Sequence, residues 1–147
     1  MTDKTDSKAM PVALVIGAGS AIAQALIRQI LERRQRQVIA VSRNQPGELA
    51  DSEGSAKRLD WWQSDYSDDS IAECCARLGE LPNGGEEIDR VYILNGILHS
   101  AEIAPEKRLE DISTTTLQQV FQINAIHAML WLKALKPLLR GKRERVI

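Results

Sequence analysis

The stretch Val12-Ala13-Leu14-Val15-Ile16-Gly17-Ala18-Gly19-Ser20-Ala21-Ile22-Ala23 constrains this chain more than any other. Five apolar residues run without interruption into a glycine-rich turn. A helical pattern follows, with Ile22, Leu26 and Ile30 at every fourth position and Ala23, Ile27 and Leu31 beside them. The order is strand, tight turn, helix. A strand with no polar alternation is buried on both faces, as in a parallel sheet. A turn of this kind lets bare backbone approach a pyrophosphate, and the helix N-terminus supplies N–H donors and a partial positive charge. Gly17 and Gly19 are therefore candidate cofactor-binding positions, and Ser20 adds a hydroxyl. The alternative is a tight strand-to-helix turn with no ligand.

The rest of the chain repeats the alternation. The first helix is predicted over about Ser20 to Arg36, with Arg33, Arg34 and Arg36 in its last turn, against the negative end of the helix dipole. A second apolar strand covers Val38 to Ser42, and Asn44 to Ser55 reads as a loop. A short third strand is expected around Lys57 to Gln63, with Trp61 and Trp62 covering a sheet edge. Ser67 is a good N-cap for a second helix, Asp68 and Asp69 suit its first turn, and Ile71, Cys74, Cys75 and Leu78 follow at helical spacing. A turn at Pro82 to Glu87 precedes a fourth strand, Val91 to Leu94. Thr115-Thr116-Leu117-Gln118 has the capping-box pattern for a long helix to about Leu139, kinked or ended by Pro137 and stopped by Gly141. Arg145-Val146-Ile147 reads as the start of a fifth strand that is not completed.

Strands alternating with helices imply an α/β domain built on a doubly wound parallel sheet, the Rossmann fold, here expected to be truncated at the start of its fifth strand. Residues 1–10, polar and mixed in charge, are expected to be a disordered lead-in, and residues 11–147 an incomplete NAD(P)-binding domain. Composition narrows the partners. A net charge of −1 with acids and bases interspersed argues against a nucleic-acid or anionic-membrane surface. No apolar run approaches the roughly 20 residues of a membrane span. Cys74 and Cys75 are adjacent, and neighbours on a helix diverge, so no disulfide is expected and a cytoplasmic location fits.

Ligands on such sheets bind beyond the strand C-terminal ends. The polar residues fall there: Gly17 to Ser20, then Ser42 and Arg43, then Asp65 with Tyr66, then Asn95 and Gly96. Arg43 discriminates between cofactors. A site for NAD usually ends the second strand with Asp or Glu on the ribose hydroxyls, whereas a 2′-phosphate needs a cation there. This strand ends Val41-Ser42-Arg43-Asn44, with no acid before Glu48, which points to NADP(H) ahead of NAD(H). Asp65 could accept from an adenine amino group or serve the helix cap with Ser67. Asn124 shares a helix face with Leu117, Phe121, Ala128, Trp131 and Leu135. An amide buried there needs a partner, expected to be the backbone of the adjacent strand or a water. His99 and His127 are too isolated for a metal site, and His127 is expected to pack or to face solvent.

These residues resemble the short-chain dehydrogenase/reductase family, and Asn95-Gly96-Ile97-Leu98-His99 followed by Pro105-Glu106-Lys107 looks like its C-factor-like branch. The family's first turn, Gly-x-x-x-Gly-Ile-Gly, corresponds to Gly17-Ala18-Gly19-Ser20-Ala21-Ile22-Ala23, with alanine at both later glycines. The resemblance places Ala21 and Ile22 at the pyrophosphate and Ala23 in helix–strand packing. The family's Asp after strand three matches Asp65, and its Asn-Asn-Ala-Gly matches Ile93-Leu94-Asn95-Gly96 in the glycine alone. Its helix asparagine matches Asn124, implied to be the catalytic-tetrad member that holds a water in a proton relay. The family's Ser and Tyr-x-x-x-Lys lie beyond strand five. Neither Tyr66 nor Tyr92 has a lysine four residues later; Ser70 and Gly96 stand there. The expectation is thus the cofactor half of an NADP-dependent oxidoreductase for a small carbonyl or alcohol, without turnover as it stands. The full-length protein is expected to be a homo-oligomer, with Ile123, Ile126, Leu130 and Leu132 exposed or re-paired in the present chain. Two alternatives stand beside it. One is a non-catalytic nucleotide-binding or regulatory module. The other is an adenosylmethionine-dependent methyltransferase, whose first motif Val15 to Ser20 also resembles but whose ribose-binding acid is replaced by Arg43.

Overall fold

A computed structural model of the chain describes residues 10–47, 58–81, 88–97, 100, 103 and 108–139. Val12–Ile16 (β1) is buried at every position, as its unbroken apolar run requires. Gln37–Ser42 (β2), Leu59–Gln63 (β3) and Ile88–Ile93 (β4) join it in a parallel sheet of order β3-β2-β1-β4. Ala21–Glu32 (α1) crosses from β1 to β2, and Asp68–Gly79 (α2) lies between β3 and β4. On one face Leu14, Ile16, Ile39 and Val41 pack with Ile71, Cys74 and Leu78 of α2 and with Trp131 and Leu135. On the other, Val15, Val38 and Ala40 meet Ala23, Ile27 and Leu31 of α1. Each large aliphatic side chain so buried contributes about 1.5–3 kcal/mol.

Four differences from expectation have physical causes. First, α1 ends at Glu32, not near Arg36. Arg33 is its C-cap and Arg34 turns the chain at φ +53°, so none of the three arginines sits in the last helical turn. Arg36 instead makes a two-pronged ion pair with Asp89, Nη2 to Oδ2 at 2.7 Å and Nε to Oδ1 at 2.9 Å. Second, β4 begins at Ile88, earlier than expected. Val12 pairs with Ile88 but Ala13 with Arg90, so Asp89 forms a bulge. The charged pair Asp89-Arg90 conceals a strand start whose first residue is fully buried.

Third, the long helix is capped by Ser113, whose Oγ accepts from Thr116 N at 3.1 Å, and not by the threonines that follow. Fourth, that helix is not uniform. Thr114–Phe121 (α3) passes through a π-type turn, Gln122–Ile126, into His127–Leu139 (α4). The inserted residue puts the two halves out of phase. Trp131 and Leu135 are fully buried, whereas Phe121, expected on the same face, is 62% exposed. The helix continues past Pro137 to Leu139.

The two tryptophans of the edge strand β3 pack, Trp62 in the core on one face of the sheet and Trp61 against the core on the other. Trp62 is buried with Arg77 over its ring at 4.0 Å, and its Nε1 donates to Asp60. Trp61 Nε1 donates to Ser42 Oγ at 2.9 Å. The N-terminal lead-in up to residue 9, the loop from residue 48 to 57, the turn at Pro82 to Glu87, Gly141 and the Arg145-Val146-Ile147 segment lie outside the described residues.

Candidate functional site

The C-terminal ends of all four strands open onto one cleft of about 520 Å³. Its walls hold Gly17, Gly19, Ser20, Ser42, Arg43, Asp65, Tyr66, Asn95 and Gly96, so nine of the positions singled out from the sequence converge. Ala21 and Ile22 do not line it; Ile22 points away, 75% exposed. Their backbone N–H groups, with that of Gly19, have no acceptor among the described residues, which is the normal state of a helix's first turn. Ser20 uses its hydroxyl as the N-cap, accepting from Ala23 N at 3.1 Å.

The two glycines of the turn differ. Gly17 has φ +86°, and a Cβ on it would stand 2.4 Å from Asn95 N and 2.5 Å from Leu94 C. Its N–H and that of Ala18 both donate to the Val41 carbonyl. Gly17 is therefore demanded by the approach of the chain leaving β4. A Cβ on Gly19 would meet nothing within 4 Å, and this is the backbone that faces open cleft.

Ser42 is buried and its hydroxyl is committed, donating to Asn44 O at 2.7 Å and accepting from Trp61. Arg43 is exposed, and its guanidinium has no partner among the described residues. Asp65 Oδ1 accepts from the Ser67 hydroxyl at 2.7 Å and the Ser67 amide at 2.9 Å. Those two bonds hold its carboxyl below the usual range. Both expectations for Asp65 are thus compatible, since Oδ1 serves the cap of α2 and Oδ2 is left over. Tyr66 adopts φ +67°, uncommon for a residue with a side chain. Its hydroxyl donates to Val41 O at 3.4 Å, and its ring meets those of His127 and Trp131.

Asn124 sits in the π-type turn and is exposed, not buried. Its Oδ1 accepts from Ile97 N at 2.9 Å and its Nδ2 donates to Ile97 O at 2.8 Å and Val120 O at 3.0 Å. The partner is the loop after β4, one step beyond the strand itself. A Cβ on Gly96 would lie 2.9 Å from Asn124 Oδ1, which explains that glycine. Asn95 Nδ2 donates to Ile123 O at 2.8 Å, while its Oδ1 is buried without a partner. The loop is thus stapled to the π-type turn by two asparagines. Replacing Asn124 by alanine should speed amide exchange at Ile97 about fivefold, the equivalent of about 1 kcal/mol; unchanged exchange in a hydrogen-exchange measurement would show that the staple is not holding the loop.

His127 is the residue that sequence reasoning misses. It lines the cleft, half-buried, with Nδ1 buried and unpartnered. Burial, then the positive field of Arg43, keep its pKa below the ordinary value, so it is neutral at pH 7. The available signal is its position three residues after Asn124. His99 lies outside the described residues, and no metal-binding group of side chains occurs among the described ones.

No protein-family model matches the sequence, and no curated protein matches it either. Solved structures do share the fold. A Burkholderia multivorans chain assigned as a short-chain alcohol dehydrogenase superposes with a TM-score of 0.73 at 21% identity, over 88% of this chain and 57% of that one. A second from the same organism, assigned as a short-chain dehydrogenase/reductase and holding NADP, gives 0.72 at 22% identity over 88% and 54%. A short-chain dehydrogenase from Leptospira borgpetersenii with NAD+ bound gives 0.66 at 22% identity over 84% and 44%. With these structures the chain shares a Rossmann-like α/β fold, a parallel sheet flanked by helices, and it spans about half their length.

Proposed function

We propose that the cleft binds a nicotinamide dinucleotide carrying a 2′-phosphate, NADP(H) ahead of NAD(H), and that the chain is the cofactor-binding portion of a short-chain-type oxidoreductase acting on a small carbonyl or alcohol. The observation that carries this is Arg43: an unpartnered guanidinium at the end of β2, on the cleft wall, where a ribose-binding acid would otherwise stand. The other groups fit. The unbonded N–H of Gly19, on the cleft wall at the start of α1, suits a pyrophosphate. Asp65 and Tyr66 suit the base, and the orphaned Asn95 Oδ1 and the Gly96 backbone suit the ribose side. When bound, the dinucleotide supplies the hydride. The chain's own residues bind and orient it, and Asn124 holds the loop after β4 in place. Fold neighbours that hold NADP or NAD+ support a nicotinamide cofactor. The C-factor-like reading rests on Asn95-Gly96-Ile97 together with residues 98–99 and 105–107, which lie outside the described ones.

A cytoplasmic setting fits the two free cysteines, and no helix among the described residues is long and apolar enough to cross a membrane. Exposed Phe121, Ile126 and Met129 suit the pairing of copies; of the residues expected there, Ile123, Leu130 and Leu132 are half-buried. A non-catalytic nucleotide-binding module of the same fold is the second reading, and NADPH binding without reductase activity in the full-length protein would favour it. Calorimetric titration tests the first. NADPH should bind about tenfold or more tightly than NADH, and adenosylmethionine not at all; tighter binding of adenosylmethionine would reverse the reading. This chain is expected to leave NADPH unconsumed in the presence of carbonyl compounds, and measurable oxidation would show that a general acid exists among its own residues.

A further inference from the structure

The cleft contains one polar ring that the proposed binding scheme does not use. His127 begins α4, directly after the π-type turn, and lines the cleft together with Asp65 and Tyr66. The ring is held on a rigid support. Tyr66 lies against it at 5.8 Å between centroids, Trp131 meets the same tyrosine edge-on at 6.2 Å, and the Tyr66 hydroxyl is tied to Val41. Nδ1 is turned into the protein, where no group of the described residues bonds to it. Nε2 is not among the buried atoms, so the other nitrogen is the one left to a ligand.

Resting on the dinucleotide reading above, we infer that His127 reads the base: with Asp65 it selects an amino-bearing purine edge, adenine, over the keto edge of hypoxanthine. The chemistry is complementary. Asp65 is an acceptor only, with Oδ1 committed to Ser67 and Oδ2 free for an exocyclic amine. His127 Nδ1 has no acceptor to receive a proton's bond, so the neutral ring keeps its proton on Nε2, and that N–H suits the acceptor ring nitrogen beside the amine. Replacing the amine by a carbonyl sets oxygen against carboxylate at Asp65 and protonates the ring nitrogen facing His127. A site built on such paired hydrogen bonds rejects the mismatched partner, because its own polar groups are left unpaired. Burial is the main reason the imidazole's pKa lies below its ordinary value; Arg43 lowers it further, while Asp65 and Asp68 act in the opposite direction.

The test compares NADPH with its hypoxanthine analogue by titration calorimetry on the 147-residue chain. The unaltered chain should prefer NADPH by about tenfold or more, in the range of one good paired contact to a base edge. His127→Phe keeps an aromatic ring against Tyr66 and should cut that preference severalfold, while the NADPH-to-NADH ratio set at Arg43 stays unchanged. His127→Gln, which keeps a donor, should restore part of it. If NADPH binds and the unaltered chain shows no preference, or both variants keep it in full, the base-reading role of His127 is wrong and the dinucleotide reading survives. If neither nucleotide binds the unaltered chain, the dinucleotide reading fails and takes this inference with it.

Discussion

Alanine at Gly17 is expected to cost the fold about 3 kcal/mol or more, while alanine at Gly19, two residues on, leaves stability unchanged or slightly higher. At Gly17 two penalties add. A side chain held at φ +86° carries roughly 1–3 kcal/mol of backbone strain. Its methyl would also stand 2.4 Å from Asn95 N, inside backbone that cannot yield as a flexible side chain would, and overpacking of that kind costs roughly 1–3 kcal/mol. Against a total stability of about 5–15 kcal/mol for a domain, this is a large fraction. At Gly19 no atom lies within 4 Å and φ is ordinary, so alanine there gains roughly 0.4–1 kcal/mol from the unfolded chain. Urea denaturation of the two variants decides the matter. A Gly17→Ala protein within about 1 kcal/mol of the parent would mean that β1 and the chain leaving β4 do not meet as described. The Gly19 variant then has a second reading, by titration: a protein as stable as the parent that has lost NADPH affinity locates the pyrophosphate at that turn.

The second large effect is expected at Arg43. Its guanidinium makes no hydrogen bond or ion pair with the described residues and lies on the cleft wall, so its replacement breaks no such bond among them. A charged hydrogen-bonding pair with a phosphate is worth about 1.5–3 kcal/mol, and each 1.4 kcal/mol is about tenfold in affinity. Arg43→Glu adds repulsion to that loss. NADPH binding should weaken about 100-fold, NADH binding should change little, and the preference between them should invert. Because the arginine is exposed, the effect should shrink as salt rises and the Debye length falls to about 3 Å at 1 M. Parallel weakening of NADPH and NADH would place the arginine somewhere other than the 2′-phosphate.

What can be read from the residues depends on how local the cause is. β1 is legible to the residue, because five consecutive apolar side chains admit one arrangement in a sheet of this kind. The N-cap of α2 is legible for the same reason, since Ser67-Asp68-Asp69 acts within a single turn. Causes that lie across the molecule are not visible. Asp89 sits at a bulge and pairs with Arg36, which comes from a distant part of the chain. Ser113 caps the long helix in competition with three successive threonines that look equally able. The π-type turn is a backbone event with no residue pattern of its own, and it moves Phe121 off the face that a regular helix would give it. The glycine turn is the most instructive case. Gly17 suggests a phosphate, yet the contact that forbids a side chain there is the backbone at Leu94 and Asn95. Four strand ends are enough to find the cleft. His127 can be read from the residues only as packed or solvent-facing, and it is packed; its place on the cleft wall depends on neighbours from beyond β2 and β3, Arg43 and Asp65.

The tryptophans have a practical consequence. Trp61 is tied to Ser42, the residue before Arg43, and Trp131 lies edge-on to Tyr66, which lines the cleft. Trp62, bonded to Asp60 and stacked under Arg77, has no bond to a cleft residue. Two of the three tryptophans thus contact residues of the cleft wall, and the third serves as an internal reference. Filling the cleft is therefore expected to change the ultraviolet fluorescence without a label, and replacing Trp61 or Trp131 by phenylalanine assigns the change to one or the other.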